Sequence, residues 1–523
     1  MTESPHHYLP RWVVPTAITL LVACYVAMLL LGWPQYGTSQ IAGQLDHHEA
    51  PSAEALGAAG GTALQPPPLW TVTPFVLMLG AIAILPLVPA TAHWWESNLS
   101  RFKVAVGLAL LTLAYYALLH AAPIEGHWPA HHEVEPGSGP VQTGFVLAVL
   151  ENAIMQEYIP FIVLLFSLFT ISGGIRIEGD LRADPVVNAS FMAVGGLLAS
   201  FIGTTGAAML LIRPLLETNQ ERKRVVHTVV FFIFIVCNCG GCLLPIGDPP
   251  LFLGYLQGVH FLWTLRLWRE WVFVNGLLLL VYLLYDEYFH YRRESIRDLQ
   301  RDMKRVSGLK ITGWQLNVPL LVGVVLAVAL LDPSKPLPGT DWHPWMYLRE
   351  ITQLSLVAIS LWWGSQAIRA KNHFNYHAIV EVAALFIGIF ITMQPALQIL
   401  HDRGGELGID TPNKFFWVTG GLSSVLDNAP TYLVFFKTAQ VMPAPSGAVL
   451  EAGVEQKILE AISLGAVFMG AMTYIGNGPN FMVKAIAEKS GVKMPSFFGY
   501  MVYSCVVLLP ILAVCDWLFF LSP

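Results

Sequence analysis

Asn238-Cys239-Gly240-Gly241-Cys242-Leu243-Leu244-Pro245-Ile246-Gly247-Asp248-Pro249-Pro250 lies inside an apolar stretch that runs from residue 225 to 256. A lipid-facing helix has no place for adjacent prolines, which break the backbone ladder, or for an acid, which is costly in hydrocarbon. A second interruption, Thr473-Tyr474-Ile475-Gly476-Asn477-Gly478-Pro479-Asn480, lies inside the apolar stretch 462–483. Unwound backbone at membrane depth survives only where protein buries it or a cavity supplies water. Two such breaks at corresponding places in two halves point to the central site of a secondary transporter.

Composition sets the class. Of the 523 residues 55% are hydrophobic and 12% charged, against about 25% charged in an ordinary soluble domain. The expected fold is an all-α polytopic membrane protein with membrane lipid around it. The net charge of -6 says little, since the placement of Lys and Arg matters more than their total, and nothing supports a nucleic-acid partner. Cys24, Cys237, Cys239, Cys242, Cys505 and Cys515 all fall in apolar segments. Cys239 and Cys242 have C-x-x-C spacing, yet no second pair or histidine cluster completes a zinc or redox site. They read as small residues filling a tight helix break, and no cofactor is expected.

At roughly 20 residues per span, candidate membrane segments are 12–33, 72–89, 102–120, 145–172, 191–212, 225–256 and 271–285 in the first half. The second half supplies 315–331, 351–368, 379–400, 415–439, 461–485 and 497–521. That makes about 11 to 13 membrane elements. The run 12–33 is too long for a signal-peptide core and reads as a retained span.

Two polar insertions, 35–68 and 121–140, are nearly free of Lys and Arg. With the residue just before the second, they hold Asp46, His47, His48, Glu49, His120, Glu125, His127, His131, His132, Glu133 and Glu135. Carboxylates and histidines together suit a metal, but the Gly/Pro-rich setting reads first as solvated non-cytoplasmic loops. The opposite character marks Arg222-Lys223-Arg224 and the stretch 286–310, with Arg292, Arg293, Arg297, Arg301, Lys304, Arg305 and Lys310. Both face the cytoplasm under the positive-inside rule, so the expected location is a bacterial inner membrane. The organisation that follows is 1–140 as N-terminal scaffold, 141–285 as a first transport unit and 286–313 as a basic linker. Residues 314–375 complete the scaffold, and 376–523 form a second transport unit.

The halves repeat weakly. Glu157 opens one apolar run, and Glu381 opens another 224 residues later. Gly203-Thr204-Thr205-Gly206 follows the first, and Ser423-Ser424-Val425-Leu426-Asp427-Asn428-Ala429-Pro430-Thr431 the second. Asp248 and Asn477 are 229 apart. Three landmarks in one order at a near-constant offset imply a duplicated unit of span, polar-tipped hairpin and broken helix. An odd number of crossings between the units inverts one relative to the other and brings four polar tips together near the midplane. Acids inside such segments, Asp248 and Asp427, are functional candidates by cost alone.

These strings resemble the ion transporter superfamily, which includes NhaD-type sodium/proton antiporters, arsenite efflux permeases, citrate–metal symporters and divalent-anion/sodium symporters. The resemblance covers roughly residues 151–510. It implies that Gly203–Gly206 and Asp427–Pro430 are tips of re-entrant hairpins, and that Gly247, Pro249, Pro250, Gly476, Gly478 and Pro479 mark two discontinuous helices. In carboxylate-transporting relatives Ser-Asn-Thr strings occupy both tips. Here the tips read Gly-Thr-Thr and Asp-Asn-Ala-Pro, and the two acids look more like the cation/proton-exchanging branch.

A hard cation such as sodium wants oxygen ligands. Asp248, Asp427, Asn428 and Asn477 are therefore the expected sodium ligands, with Thr204, Thr205, Asn238 and Asn480 as further oxygen donors. Competition between a proton and sodium for the carboxylates then gives exchange. Glu157 and Glu381 read as interfacial anchors or as a proton or cation entry path. The expected function is exchange of sodium or lithium for protons by elevator-like alternating access. The alternative is sodium- or proton-coupled transport of a citrate- or dicarboxylate-like anion, or arsenite efflux. Neither H-E-x-x-H nor G-x-S-x-G occurs, so no enzyme is expected. The helices outside the repeats suit a static scaffold meeting its copy in a homodimer.

Overall fold

The computed structural model describes residues 12–47, 66–295, 306–445 and 447–521. His48, Glu49, Arg297, Arg301, Lys304 and Arg305 lie outside the described residues. The described chain is helical, relieved by three two-stranded antiparallel β pairs. Among the described residues seven helices are long and apolar enough to cross a membrane: Val13–Leu30, Asn98–Leu118, Thr143–Ser172, Pro185–Ile202, Trp263–Arg293, His377–Leu407 and Phe497–Leu521. The protein is an all-α polytopic membrane protein.

Several expected single spans are pairs. The 72–89 segment belongs to two helices, Leu69–Ile84 and Pro89–Trp95, bent by 101°. Pro86 stops the first and Pro89 starts the second, because proline cannot donate inside a helix but fits its first turn. The 191–212 segment divides into Pro185–Ile202 and Thr204–Thr218 at Gly203. Gly203 has φ +78°, a left-handed conformation that glycine adopts without a Cβ penalty. The 225–256 segment divides into Val226–Ile235 and Pro249–Leu256.

The same order recurs in the second half. A long entry span, His377–Arg403, precedes a hairpin of Pro412–Ser423 and Asn428–Gln440. A broken helix of Gln456–Met469 and Gly478–Lys489 follows, then the exit span Phe497–Leu521. The first half supplies Thr143–Ser172, its hairpin, its broken helix and the exit helix Trp268–Tyr285.

Contacts at helix ends show that the two sets run in opposite directions. On one face Asn317 donates to the Gly174 carbonyl at 3.1 Å, and strand Arg176–Glu178 pairs with Lys310–Thr312. On that face His227 also meets Asp286 at 2.9 Å, and Asn98 reaches the His377 carbonyl at 3.2 Å. The end of the first entry span, the open end of the first hairpin and the start of the second entry span therefore share it. On the other face Tyr347 donates to the Met155 carbonyl at 2.9 Å and Tyr255 to the Val328 carbonyl at 2.7 Å. Trp417 meets Asp516 there at 2.9 Å, so the second hairpin opens on this face. Five crossings separate the starts of the two entry spans, and an odd number inverts the second unit.

The first face carries Arg176, Arg222, Lys223, Arg224, Arg292, Arg293, Lys310, Arg369 and Lys371 and is the basic face. The hydrogen bond from Arg176 at 2.6 Å holds the Glu178 carboxyl there below its ordinary range. The entry spans cross at an aromatic knot, where Phe161 stacks on Phe386 with centroids 4.7 Å apart and meets Phe390 at 5.7 Å. Gly388 lies against Ala105, so a side chain there would collide. Small residues of this kind let membrane helices approach closely where the hydrophobic effect offers no drive.

Candidate functional site

Each hairpin tip meets a helix break, and glycines make the approach possible. A Cβ on Gly247 would stand 2.9 Å from Ser200 Cα and 3.0 Å from the Gly241 carbonyl carbon. A Cβ on Gly476 would stand 2.8 Å from the Ser423 oxygen and 2.6 Å from the Gly470 oxygen. The two crossings are therefore built alike. Ser200 donates to the Gly240 carbonyl at 2.7 Å and Ser423 to the Ala466 carbonyl at 2.6 Å, which fixes each hairpin arm to its break. Gly240 packs so closely on the Gly196 backbone that a side chain at Gly240 would collide with it.

Asp248 occupies the focus and is 1% exposed. Its Oδ1 accepts from the Thr204 hydroxyl at 3.0 Å and from Asn477 Nδ2 at 3.1 Å. Its Oδ2 accepts from Asn428 Nδ2 at 2.7 Å. One carboxylate thus joins the first hairpin tip, the second hairpin tip and the second helix break. The partners lie up to 229 residues apart in sequence.

Each of these four residues stands at a helix N-terminus. Thr204 begins Thr204–Thr218, Asp248 precedes Pro249–Leu256, Asn428 begins Asn428–Gln440 and Asn477 precedes Gly478–Lys489. Proline in the first turn starts three of the helices: Pro249 and Pro250, Pro430, and Pro479. The first amides of a helix lack internal partners and carry a partial positive charge. Four helix N-termini meet at one buried carboxylate through side chains, while Pro249 and Pro250 have no N–H and the Thr204 and Ala429 amides are taken by the Gly247 carbonyl and Asp427.

A second layer of amides braces the focus. Asn238 donates to Asn480 Oδ1 at 2.8 Å and to the Ile233 carbonyl at 2.9 Å. Asn480 donates to the carbonyls of Gly470 and Thr473 at 2.9 and 3.0 Å. Asn477 also reaches the Cys237 carbonyl at 3.0 Å and Asn238 Oδ1 at 3.2 Å. Asn238 and Asn480 are fully buried and satisfy carbonyls freed by the breaks, a need that any buried polar backbone imposes.

The two acids expected to act together interact through their charges, and each has its own hydrogen-bond partners. Asp427 is half-buried, and its Oδ1 accepts from the Ala429 amide at 3.1 Å as the cap of Asn428–Gln440. It is not a hydrogen-bond partner of Asp248. A residue just before a helix whose first amides are unpaired turns a carboxylate oxygen to them, and Asp427 does so with Oδ1 alone. Thr205 is half-buried, while Thr204 beside it makes the bond. Gly206 lies against Ser172 and Gly478 has open space around it, so both shape the chain rather than the site.

Glu157 and Glu381 also part company. Glu381 is 2.9 Å from Arg101, an ion pair between the second entry span and Asn98–Leu118. Glu157 is buried within the π-helical turn Glu151–Tyr158, and its Oε2 has no hydrogen-bond partner among the described residues. Cys237, Cys239, Cys242 and Cys515 are free thiols and buried; Cys239–Cys242 forms the short 3-10 turn that opens the break.

Ser200, Ser423 and Thr473 did not stand out in the sequence. Thr473 Oγ1 donates to the Ser424 carbonyl and accepts from the Gly476 amide at 3.2 Å. The 223-residue offset between Ser200 and Ser423 matches the repeat and is the signal that flags them.

Comparison with curated proteins gives no match. The family model described as "Putative citrate transport" matches residues 140–520, which takes in both hairpins, both broken helices and every residue around Asp248. On that match, which spans well over half of its length, the chain belongs to this citrate transport family.

Proposed function

We propose that the protein is a secondary active transporter that carries a citrate-class carboxylate across the membrane together with a cation. The observation that carries this reading is the convergence of four helix N-termini on Asp248. Helix N-termini attract anions, yet Asp248 is itself an acid. A carboxylate substrate and Asp248 share the site only when a cation stands between them. Asp248 supplies its charged ligand, rotated Asn428 and Asn477 amides supply neutral oxygens, and the substrate is received by those first-turn amides that are not proline and not already held by Gly247, Asp248, Asp427 or Asn477. Asp427 stabilises one of the helix ends that does so.

Gradient-driven uptake of labelled citrate into proteoliposomes tests this. Wild type accumulates citrate when a sodium or proton gradient is imposed; Asp248→Asn abolishes accumulation, and Asn428→Ala or Asn477→Ala raises KM. Absence of citrate accumulation in protein that is otherwise active overturns the reading.

One observation favours a second reading, exchange of sodium or lithium for protons. The hydrogen-bond partners of Asp248 are all neutral: Thr204, Asn428 and Asn477. Such a set suits a bare cation competing with a proton. Sodium-dependent pH changes inside proteoliposomes without citrate identify this activity. In either reading the hairpins and broken helices move as the carrier. Val13–Leu30, Asn98–Leu118, Trp314–Leu330 and Leu348–Trp363 then stay as scaffold, and two scaffolds meet in a homodimer. The basic face is assigned to the cytoplasm of a bacterial inner membrane by the positive-inside rule.

A further inference from the structure

The segment between Asn98–Leu118 and Thr143–Ser172 is built more firmly than a solvated loop. Ile124–Gly126 and His132–Val134 form an antiparallel pair with Glu125 opposite Glu133. Asn152, buried in the entry span, holds one edge of it with both ends of its amide. Asn152 Oδ1 accepts from the His127 amide at 2.7 Å, and its Nδ2 donates to the Glu125 carbonyl at 2.9 Å. Trp128 donates to the Tyr347 hydroxyl at 2.9 Å, which anchors the connecting turn to a scaffold helix.

Within this clamp Glu125, His127 and His131 each offer one ligand atom, and these atoms lie within 4.8 Å of one another. His127 Nδ1 is 3.0 Å from His131 Nδ1, and His127 Nε2 is 3.9 Å from Glu125 Oε2. Alternate residues of an extended chain point to one side, which places Glu125 and His127 together, and the turn returns His131 to them. The geometry points to a transition-metal site of the zinc class formed by Glu125, His127 and His131 on the face opposite the basic one.

Ligand chemistry selects the metal. Two imidazoles and a carboxylate are a zinc donor set, and three protein ligands leave a fourth position for water. Calcium and magnesium want oxygens throughout. Tetrahedral ligands at about 2.0–2.1 Å from zinc stand roughly 3.3 Å from each other. The 3.0 Å imidazole pair is close to this spacing, and Glu125, within 4.8 Å of both, has to draw nearer on binding. His131 is exposed, so it adjusts without disturbing the clamp. The positive charge of Lys437 acts on His127 and also on the carboxylates of Glu157 and Glu125, which offset it. His132 and His401 stand nearby. The site is separate from Asp248 and does not depend on the transported substrate.

The test uses purified full-length protein with its affinity tag removed. Zinc is titrated in competition with a chromophoric chelator, and cobalt(II) replaces zinc as a spectroscopic probe. Wild type is expected to hold one zinc per chain with millimolar magnesium and calcium present, and to give the intense visible bands of low-coordinate cobalt. His127→Ala and His131→Ala are each expected to weaken zinc roughly ten-fold or more, since even an outer-layer partner is worth that much. His132→Ala retains wild-type affinity. Because His131 is exposed, His131→Ala keeps the thermal unfolding profile of the metal-free protein, and that profile is checked. Zinc stoichiometry and affinity unchanged in the His127→Ala/His131→Ala double variant, or no cobalt spectrum in wild type, overturns the assignment.

Discussion

Gly247→Ala adds one methyl group where the first hairpin crosses its helix break. That methyl would stand 2.9 Å from Ser200 Cα and 3.0 Å from the Gly241 carbonyl carbon, and closer still to the Gly241 oxygen. Carbon atoms rest about 3.5–4.0 Å apart, so the crossing must open by roughly 0.5–1 Å. All three obstacles are backbone, and no rotamer change relieves them. Overpacking of this kind costs about 1–3 kcal/mol. Asp248 is the next residue, with hydrogen bonds of 2.7–3.1 Å to Asn428, Thr204 and Asn477. A shift of this size carries some of these beyond the usual limit of about 3.2 Å. If the whole cost falls on the ligand-competent state, affinity drops about 5- to 150-fold, at tenfold per 1.4 kcal/mol. Gly478→Ala is the matched control in the other break, where the added methyl meets nothing within 4 Å. Alanine is favoured over glycine in a helix by about 1 kcal/mol, so this variant is expected to be neutral or slightly stabilised. KM for citrate uptake and the unfolding temperature of the detergent-purified variants read both effects. Wild-type behaviour of Gly247→Ala on both measurements, or equal damage from Gly478→Ala, refutes the close-crossing argument.

Asp286 accepts from the Arg222 guanidinium, from His227 at 2.9 Å and from Tyr282 at 3.0 Å, all buried. Asp286→Asn removes the closer of the two carboxylates beside the guanidinium, leaving Glu294 at 3.9 Å, and is expected to cost up to about 3–5 kcal/mol, read as a lowered unfolding temperature. Glu381→Gln breaks the less buried pair with Arg101 and is expected to leave uptake intact while Asp248→Asn abolishes it; equal loss in both variants counts against a structural role for Glu381. Asn480→Ala frees the carbonyls of Gly470 and Thr473, at about 1–3 kcal/mol for a buried unpaired group, and should lower the unfolding temperature more than Thr205→Ala does. Cys24 and Cys505 lie on the outer surface of membrane spans and the other four thiols are buried, so a charged thiol reagent is expected to label none of the six in folded protein held in a bilayer, and all six after unfolding. Mass spectrometry of the labelled peptides reads the outcome.

Local rules of chain chemistry were enough to find the breaks. Proline and glycine inside an apolar run cannot continue a helix wherever the run is placed, so Gly247–Pro250 and Gly476–Asn480 were legible without partners. The duplication was legible for the same reason, because each unit needs its own tip and its own break. What Asp427 does was not legible. Asp248 and Asp427 both precede a helix start, and sequence gives both the same cost of burial. Only the packed structure shows that Asp427 turns to its own Ala429 amide while Asp248 turns to three residues from other elements. Glu157 and Glu381 likewise share a place in the repeat, yet only Glu381 finds an arginine, because Arg101 lies on a scaffold helix that the repeat does not duplicate. Asn152, in another element, holds the loop backbone at Glu125 and His127, which the loop's own composition does not announce. Sequence determines where a helix must stop, since that depends on a residue and its immediate neighbours. Which way an unpaired side chain turns at the stop depends on what another part of the chain brings within 3 Å, and tertiary structure alone decides that.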